Sequence, residues 1–433
     1  MNIIKAFWLT VSDLSLVTFA AGAATVPAAS PSFVDVSAAL ALARDGDTVQ
    51  IPAGTATWNS SLFVNRGITI QGAGATSTVI TNSMTAWDSA LFILNGTSPS
   101  AVKRITAIGM KGDLITNGNG KHGTGVLVRG YGMLKRVDHC QFDDLYCAVW
   151  AQNSNGLTDH NLIRNCQAAF RHSGFAKGQQ YAWNHFRNYS DNAPYNTLNY
   201  MFHEDETVEL TGDGFLVDQV EANSWVIRYC NVTYREAHGP YTVAQSYGGI
   251  DTHGDNPRTR QYSSISVLLY ENNFTVNTGA GMDFFKLRGG QAVVFNNRVT
   301  TAGGSGGASV ALREERDEAQ FAGWPQWPDP QYEDRVHNTY IWNNTRNGVV
   351  QGPYVTSESV SHMHFGSDPV SDPTAVAWTT TPASLASLLP AYPHPLATSA
   401  NSSGAPEHLG VLPRKRSRFW RRDISRHSII QRN

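Results

Sequence analysis

The sequence predicts an all-β protein: a single-stranded right-handed parallel β-helix with a short N-terminal capping helix and long inserted loops. Two observations carry this. Short strand candidates, DTVQI, GITIQG and STVITN, follow one another near the start, each punctuated by Gly, Pro or Asn and too closely spaced to leave room for helices between them. Further along, one local pattern recurs at about 18 to 26 residues, with larger gaps that fit two coils or one coil plus an inserted loop.

The recurring segments are RVDHCQF (136–142), LIRNCQA (162–168), YAWNHF (181–186), VIRYCNV (226–232), LYENNF (269–274), VFNNRV (294–299) and YIWNNT (340–345). Aligned on their apolar residues, they bring Cys140, Cys166, Asn184, Cys230, Asn272, Asn297 and either Asn343 or Asn344 to one position. Three short strands and three turns need a circuit of this length, and equivalent positions on successive coils then stack at ~4.8 Å. Stacked Asn side chains bond to one another along the axis. Cys at the same position is small enough to be buried. The cysteines therefore read as ladder thiols, with a disulfide between adjacent coils as the rival; no CxxC pair suggests zinc.

The helix is expected over residues 32–350, in about ten to twelve coils. Its cap is an amphipathic stretch from Val36 to Ala43, with Asp35 or Ser37 as N-cap. Residues 1–23 resemble a signal peptide ending near Ala23, although Asp13 interrupts the apolar stretch; this points to a secreted or extracellular protein. No later stretch offers the ~20 uninterrupted apolar residues of a membrane span. Residues 351–413, rich in Pro, Ser, Thr and Ala, read as a loosely ordered wrap, and residues 414–433, with eight Arg or Lys, as a solvated basic tail. With 33 basic against 35 acidic residues, the body carries no polyanion signature, and it contains no nucleic-acid module or nucleotide loop.

The opening GDTVQIPAGTATWNSSLFVNRGITIQGAG, together with the coils that follow, resembles the pectate-lyase-like superfamily of parallel β-helix proteins. A narrower likeness is to exported bacterial β-helix proteins carrying "DxHG", "RGG" and "YIWNNT" elements. The resemblance implies the fold; it leaves the chemistry open, because the superfamily holds lyases, glycosidases, epimerases, tailspikes and adhesins.

Chemistry is expected on loops and on outward strand positions. Residues 233–264 gather His238, Tyr241, Asp251, His253, Arg258 and Arg260, and the next coil brings Lys286 and Arg288 to one strand face. Arg, Lys and His together suit an acidic sugar. The reaction such a set fits is β-elimination on a uronate polymer, in which the site neutralises the carboxylate and supplies a base. Lys286 or His253 is the expected base. Arg288 and Arg260 are the expected carboxylate clamps, with Asp251 in the binding set, and Tyr241 or His238 the acid toward the leaving oxygen. Calcium, which the resembled lyases bind through acidic side chains, is a possible cofactor, although no run has a known calcium-loop spacing. Two other readings stand beside elimination. One is a glycoside hydrolase of the same fold, which uses Asp residues on neighbouring coils; its paired-Asp and Gly-His-Gly motifs are absent from the sequence. The other is a non-catalytic adhesin or tailspike-like module, for which Trp324 and Trp327 offer stacking faces. Each residue also has a plain structural role open to it: Lys286 and Arg288 as solvated strand residues, His253 as a turn stabiliser.

Overall fold

The computed structural model describes residues 23–86, 89–96, 103–112, 123–130, 134–152, 154–173, 198, 200–210, 214–220, 224–235, 249–252, 266–277, 285–289, 291–302, 310–312, 340–352, 354–355 and 389–398. Within them the chain winds as a parallel β-helix. Each circuit lays one strand in each of three sheets, of 11, 11 and 10 strands. Every pairing is parallel except the hairpin of Thr345–Arg346 with Val349–Val350 at the C-terminal end. The first sheet runs from Thr25–Pro27 to Tyr340–Trp342, the second from Gly54–Trp58 to Val349–Val350, and the third from Leu62–Val64 to Tyr354–Val355. Alternation within the strands sends one set of side chains into a continuous apolar core, among them Val49, Ile70, Ile105, Val137, Phe142 and Phe170.

The corner between the first and second sheets explains the repeat. Ala107, His139, His160, Asp205, Tyr229, Glu271, Asn296 and Asn343 all sit there with φ between 49° and 59°. That left-handed conformation is costly for a residue with a Cβ and suits Asn best. It swings the next residue inward, and those inward residues form the ladder. Asn272 Oδ1 accepts from Cys230 N at 2.9 Å, Asn297 Oδ1 from Asn272 N at 3.2 Å, and Asn344 Oδ1 from Asn297 N at 3.2 Å. Each amide Nδ2 donates back to a carbonyl of a preceding coil: Asn272 to Ile227 at 3.0 Å, Asn297 to Leu269 at 2.8 Å and Asn344 to Val294 at 3.0 Å. The buried backbone at the corner is satisfied by side chains where the sheets' own ladders stop. Asn344 is thus the ladder residue, and Asn343 the left-handed one.

Two ladder positions differ from expectation. Cys166 lies one corner further on: it follows Leu162–Arg164 and the left-handed Asn165, and Gln167 N bonds Leu145 O at 3.0 Å. Both corners consist of a strand, a left-handed residue and a small buried one, so RVDHCQF and LIRNCQA look alike while belonging to different turns. The true ladder residue of that coil is Asn161, whose Oδ1 accepts from Cys140 N at 2.8 Å. The next is Glu206, 45 residues later, whose carboxylate oxygens accept from Asn161 N at 2.7 Å and Nδ2 at 3.0 Å. A 45-residue gap is therefore one coil with an inserted loop. Asn184 lies outside the described residues. All four cysteines are buried and none forms a disulfide.

Glu206 is fully buried, and its carboxyl is pushed up to about 8 by burial, with bonds from Thr158 and Asn161 opposing. An acid whose folded value is raised contributes stability that is fully present below its unfolded value of ~4.3 and is lost as pH rises through the folded one. Glu206→Gln keeps the ladder and removes the titration. Urea unfolding across pH should show the wild type losing stability relative to E206Q between about pH 4 and 8; parallel curves would refute this reading of the ladder. The inward histidines act at the other end of the scale. His172 Nε2 meets His203 Nε2 at 3.0 Å, and His203 Nδ1 meets Thr158 Oγ1 at 2.6 Å. Burial lowers His172 to about 3 and lowers His203 as well, His172 adding to the effect. Their stabilising share is present above ~6.5 and is lost as pH falls.

The capping helix is Phe33–Leu42, with Ser32 as N-cap in place of Asp35 or Ser37. Ser32 Oγ accepts from Asp35 N at 3.2 Å, so the helix starts three residues earlier than Val36, and Asp35 falls in its first turn.

From the stretch read as a loosely ordered wrap, residues 389–398 dock on the outer face of the first sheet. Arg228 Nη1 donates to Pro390 O at 2.9 Å and Nη2 to Ala391 O at 2.7 Å, while Arg136 Nη1 donates to Leu396 O at 2.9 Å. His394 N donates to Glu204 Oε2 at 3.1 Å, and Leu396 is buried with Phe202, Tyr270 and Phe295. Both guanidiniums also hold carboxylates, Arg136 that of Asp159 through two bonds of 2.8 Å and Arg228 that of Glu204.

Candidate functional site

The third sheet turns one row of side chains outward. Phe63, Ile93, Leu127, Trp150, Arg171, Asp218, Asp251 and Lys286 are partners in register on successive coils. Along the axis the row changes from apolar to charged at Arg171. The inward neighbours change at the same coil, from Ala151 to His172, Gln219 and Thr252. One interior side chain behind the charged row, Thr252, also braces it. Thr252 Oγ1 donates to Lys286 O at 2.8 Å and accepts from Arg288 N at 3.2 Å, which fixes the backbone on both sides of Leu287.

Of the residues expected from sequence, the structure brings together Asp251, Lys286 and Arg288. Asp251 and Lys286 are register neighbours, and Arg288 Nη2 donates to Asp251 Oδ2 at 2.6 Å. All three are buried, so the reading of Lys286 and Arg288 as solvated strand residues does not hold. His238, Tyr241, His253, Arg260, Trp324 and Trp327 lie outside the described residues.

Two residues missed at the sequence level belong to the same row. Asp218 sits beside Asp251, and Arg171 approaches Asp218 Oδ2 at 3.6 Å. The signal was present: FRH, VDQ, IDT and FKL each set a charged residue beside apolar ones at the same strand position. Finding it required the coil register, which the misplaced Cys166 obscured.

Burial pushes the Asp251 carboxyl up to about 7, Arg288 opposing and Asp218 adding to it. Burial also raises Asp218, against Arg171 and Arg288. Burial and the adjacency of the two carboxyls disfavour ionising both together, while the Arg288 pair opposes this at Asp251.

Calcium requires about six to eight oxygen ligands. Among the described residues no group of three or more His, Cys, Asp or Glu is arranged to hold a metal ion, and Asp218 and Asp251 face guanidiniums. These residues do not fit a calcium shell.

No family model and no curated protein sequence matches the chain. Among solved structures it is similar to the crystal structure of alginate lyase from Paenibacillus sp. str. FPU-7, at 13% identity and a TM-score of 0.39, over 74% of this chain and 99% of that one. It is also similar to ORF18 of Geobacillus virus E2, at 13% identity and a TM-score of 0.32, over 75% of this chain and 54% of that one. The class of the protein, a parallel β-helix, rests on its own three sheets.

Proposed function

We propose that the outward face of the third sheet binds a uronate-containing polysaccharide outside the cell and cleaves it by β-elimination. The observation that carries this reading is the gathering of Asp251, Lys286 and Arg288 on adjacent coils, braced from behind by Thr252. Elimination removes the proton on the carbon next to the carboxylate. The electron pair left behind forms a carbon–carbon double bond, and the glycosidic C–O bond at the β-carbon breaks with protonation of the leaving oxygen. Arg288 supplies positive charge where the carboxylate gains enolate character, a stabilisation strongest in a dry site. Lys286, as the neutral amine, is the base this reading favours; it takes the proton and becomes the ammonium as the double bond forms.

One observation favours hydrolysis as a second reading: Asp218 and Asp251 stand side by side. A carboxylic acid of raised pKa paired with a second carboxylate is the equipment of a glycosidase. Product chemistry separates the two. Over a panel of uronate polymers, elimination yields one ultraviolet-absorbing unsaturated end and one reducing end per bond broken, whereas hydrolysis yields the reducing end alone. Lys286→Ala should lower the rate of unsaturated product by roughly 100-fold or more. Full activity in K286A would remove Lys286 from the chemistry. Binding with neither product would favour an adhesin or tailspike-like role.

A further inference from the structure

We infer that Arg171 is a second anion-reading position on the same face, so that the site selects polymers carrying acid groups on several sugars over polymers with an isolated one. The inference rests on the polysaccharide reading above and adds a residue and a charge spacing to it.

Arg171 is held as a rigid planar group. Its guanidinium lies 4.9 Å from the ring centre of Trp150 and 5.6 Å from that of Tyr146. Its Nη1 donates to the Tyr146 hydroxyl, and Asp218 pairs with it at 3.6 Å. Trp150 is itself fixed, because its Nε1 donates to Ser173 Oγ at 2.8 Å. A guanidinium stacked on aromatic rings has surrendered most of its rotamer freedom before any ligand arrives, and its planar fork matches a carboxylate. The Arg228 side chain has 0% exposure and is bonded on every side, whereas the Arg171 side chain keeps 13% and Asp218 21%. Within the charged part of the row, Arg171 and Asp218 are half-buried, while Asp251 and Lys286 are buried.

Spacing then defines the ligand. Arg171 and Lys286 are three register steps apart, from Arg171 to Asp218 to Asp251 to Lys286. At ~4.8 Å per step that is roughly 14 Å along the axis. No single sugar spans this distance. Arg171 at one end and Arg288 beside Lys286 at the other, with carboxylates between them, favour a chain whose negative groups recur along its length.

The test uses the full chain and uronate oligomers of defined length, with dissociation constants from calorimetry and a thermal melt of each variant to establish folding. The wild type should bind longer oligomers more tightly than a single uronate. Arg171→Ala should weaken the longer oligomers by roughly tenfold or more, since one charge-assisted hydrogen bond is lost. It should leave the single uronate, held at the Lys286 end, unaffected. In turnover, KM should rise more than kcat falls. Arg171→Lys, which keeps the charge and loses the planar stack, should show the same length dependence with a smaller loss, and it serves if R171A does not fold. R171A indistinguishable from wild type at every length overturns the inference and leaves the functional reading standing. Equal weakening at all lengths also overturns it, because Arg171 would then act only through the Lys286 centre. A wild type that binds no uronate oligomer of any length rejects the functional reading, and the inference with it.

Discussion

Arg228→Ala is expected to cost about 3–5 kcal/mol of unfolding free energy, the range for leaving a buried charge without its partner. Glu204 is 1% exposed and loses the guanidinium that neutralises it, while the carbonyls of Pro390 and Ala391 lose the donors that dock residues 389–398. The loss also reaches the Tyr270 hydroxyl, which accepts from Arg228 Nη1 at 2.6 Å. Replacing both partners, Arg228→Met with Glu204→Leu, should recover only the share due to the unpaired Glu204 charge, since the Pro390 and Ala391 carbonyls still lack their donor and His394 N loses its acceptor. Urea unfolding measures both variants. A loss below about 1 kcal/mol for R228A would mean that the ion pair and the docked segment contribute no more than an exposed pair does.

Asn297→Ala is the second large effect. Asn297 donates to Leu269 O and Asn344 Oδ1 and accepts from Asn272 N and Nδ2, at 2.8, 2.9, 3.2 and 3.0 Å. Alanine leaves a buried carbonyl and a buried amide without partners and opens a small cavity. At roughly 1–3 kcal/mol for each unsatisfied group, the expected loss is about 3–5 kcal/mol. Cys230→Ala in the same file should cost far less, because its thiol makes only long contacts, of 3.4 and 3.6 Å, to carbonyls. Equal losses for the two variants would contradict a ladder held by amide bonds.

The ladder was legible because it is local. An apolar strand, a left-handed residue and a small or amide residue recur coil after coil, and the pattern survives loops of any length. The same locality misled at Cys166, since two corners of the coil share that grammar and only pairing distinguishes them. Glu206 carries no amide to announce it and was missed although it fills the Asn position. Residues 389–398 could not be read at all: Arg136 and Leu396 are 260 residues apart, and no periodicity links a Pro-rich stretch to a sheet face. In the site, Lys286 and Arg288 were found through strand alternation and Asp251 through its loop. Arg171 and Asp218 stand apart from them in sequence and are joined to them only by register.

The central question is where an acidic polymer meets the molecule. A structure of the protein bound to a uronate oligomer would decide it most directly. The oligomer is expected along the outward face of the third sheet, with one carboxylate at Lys286 and Arg288 and another at Arg171. An oligomer seated on the first or second sheet, with the Arg171-to-Lys286 row unoccupied, would contradict it.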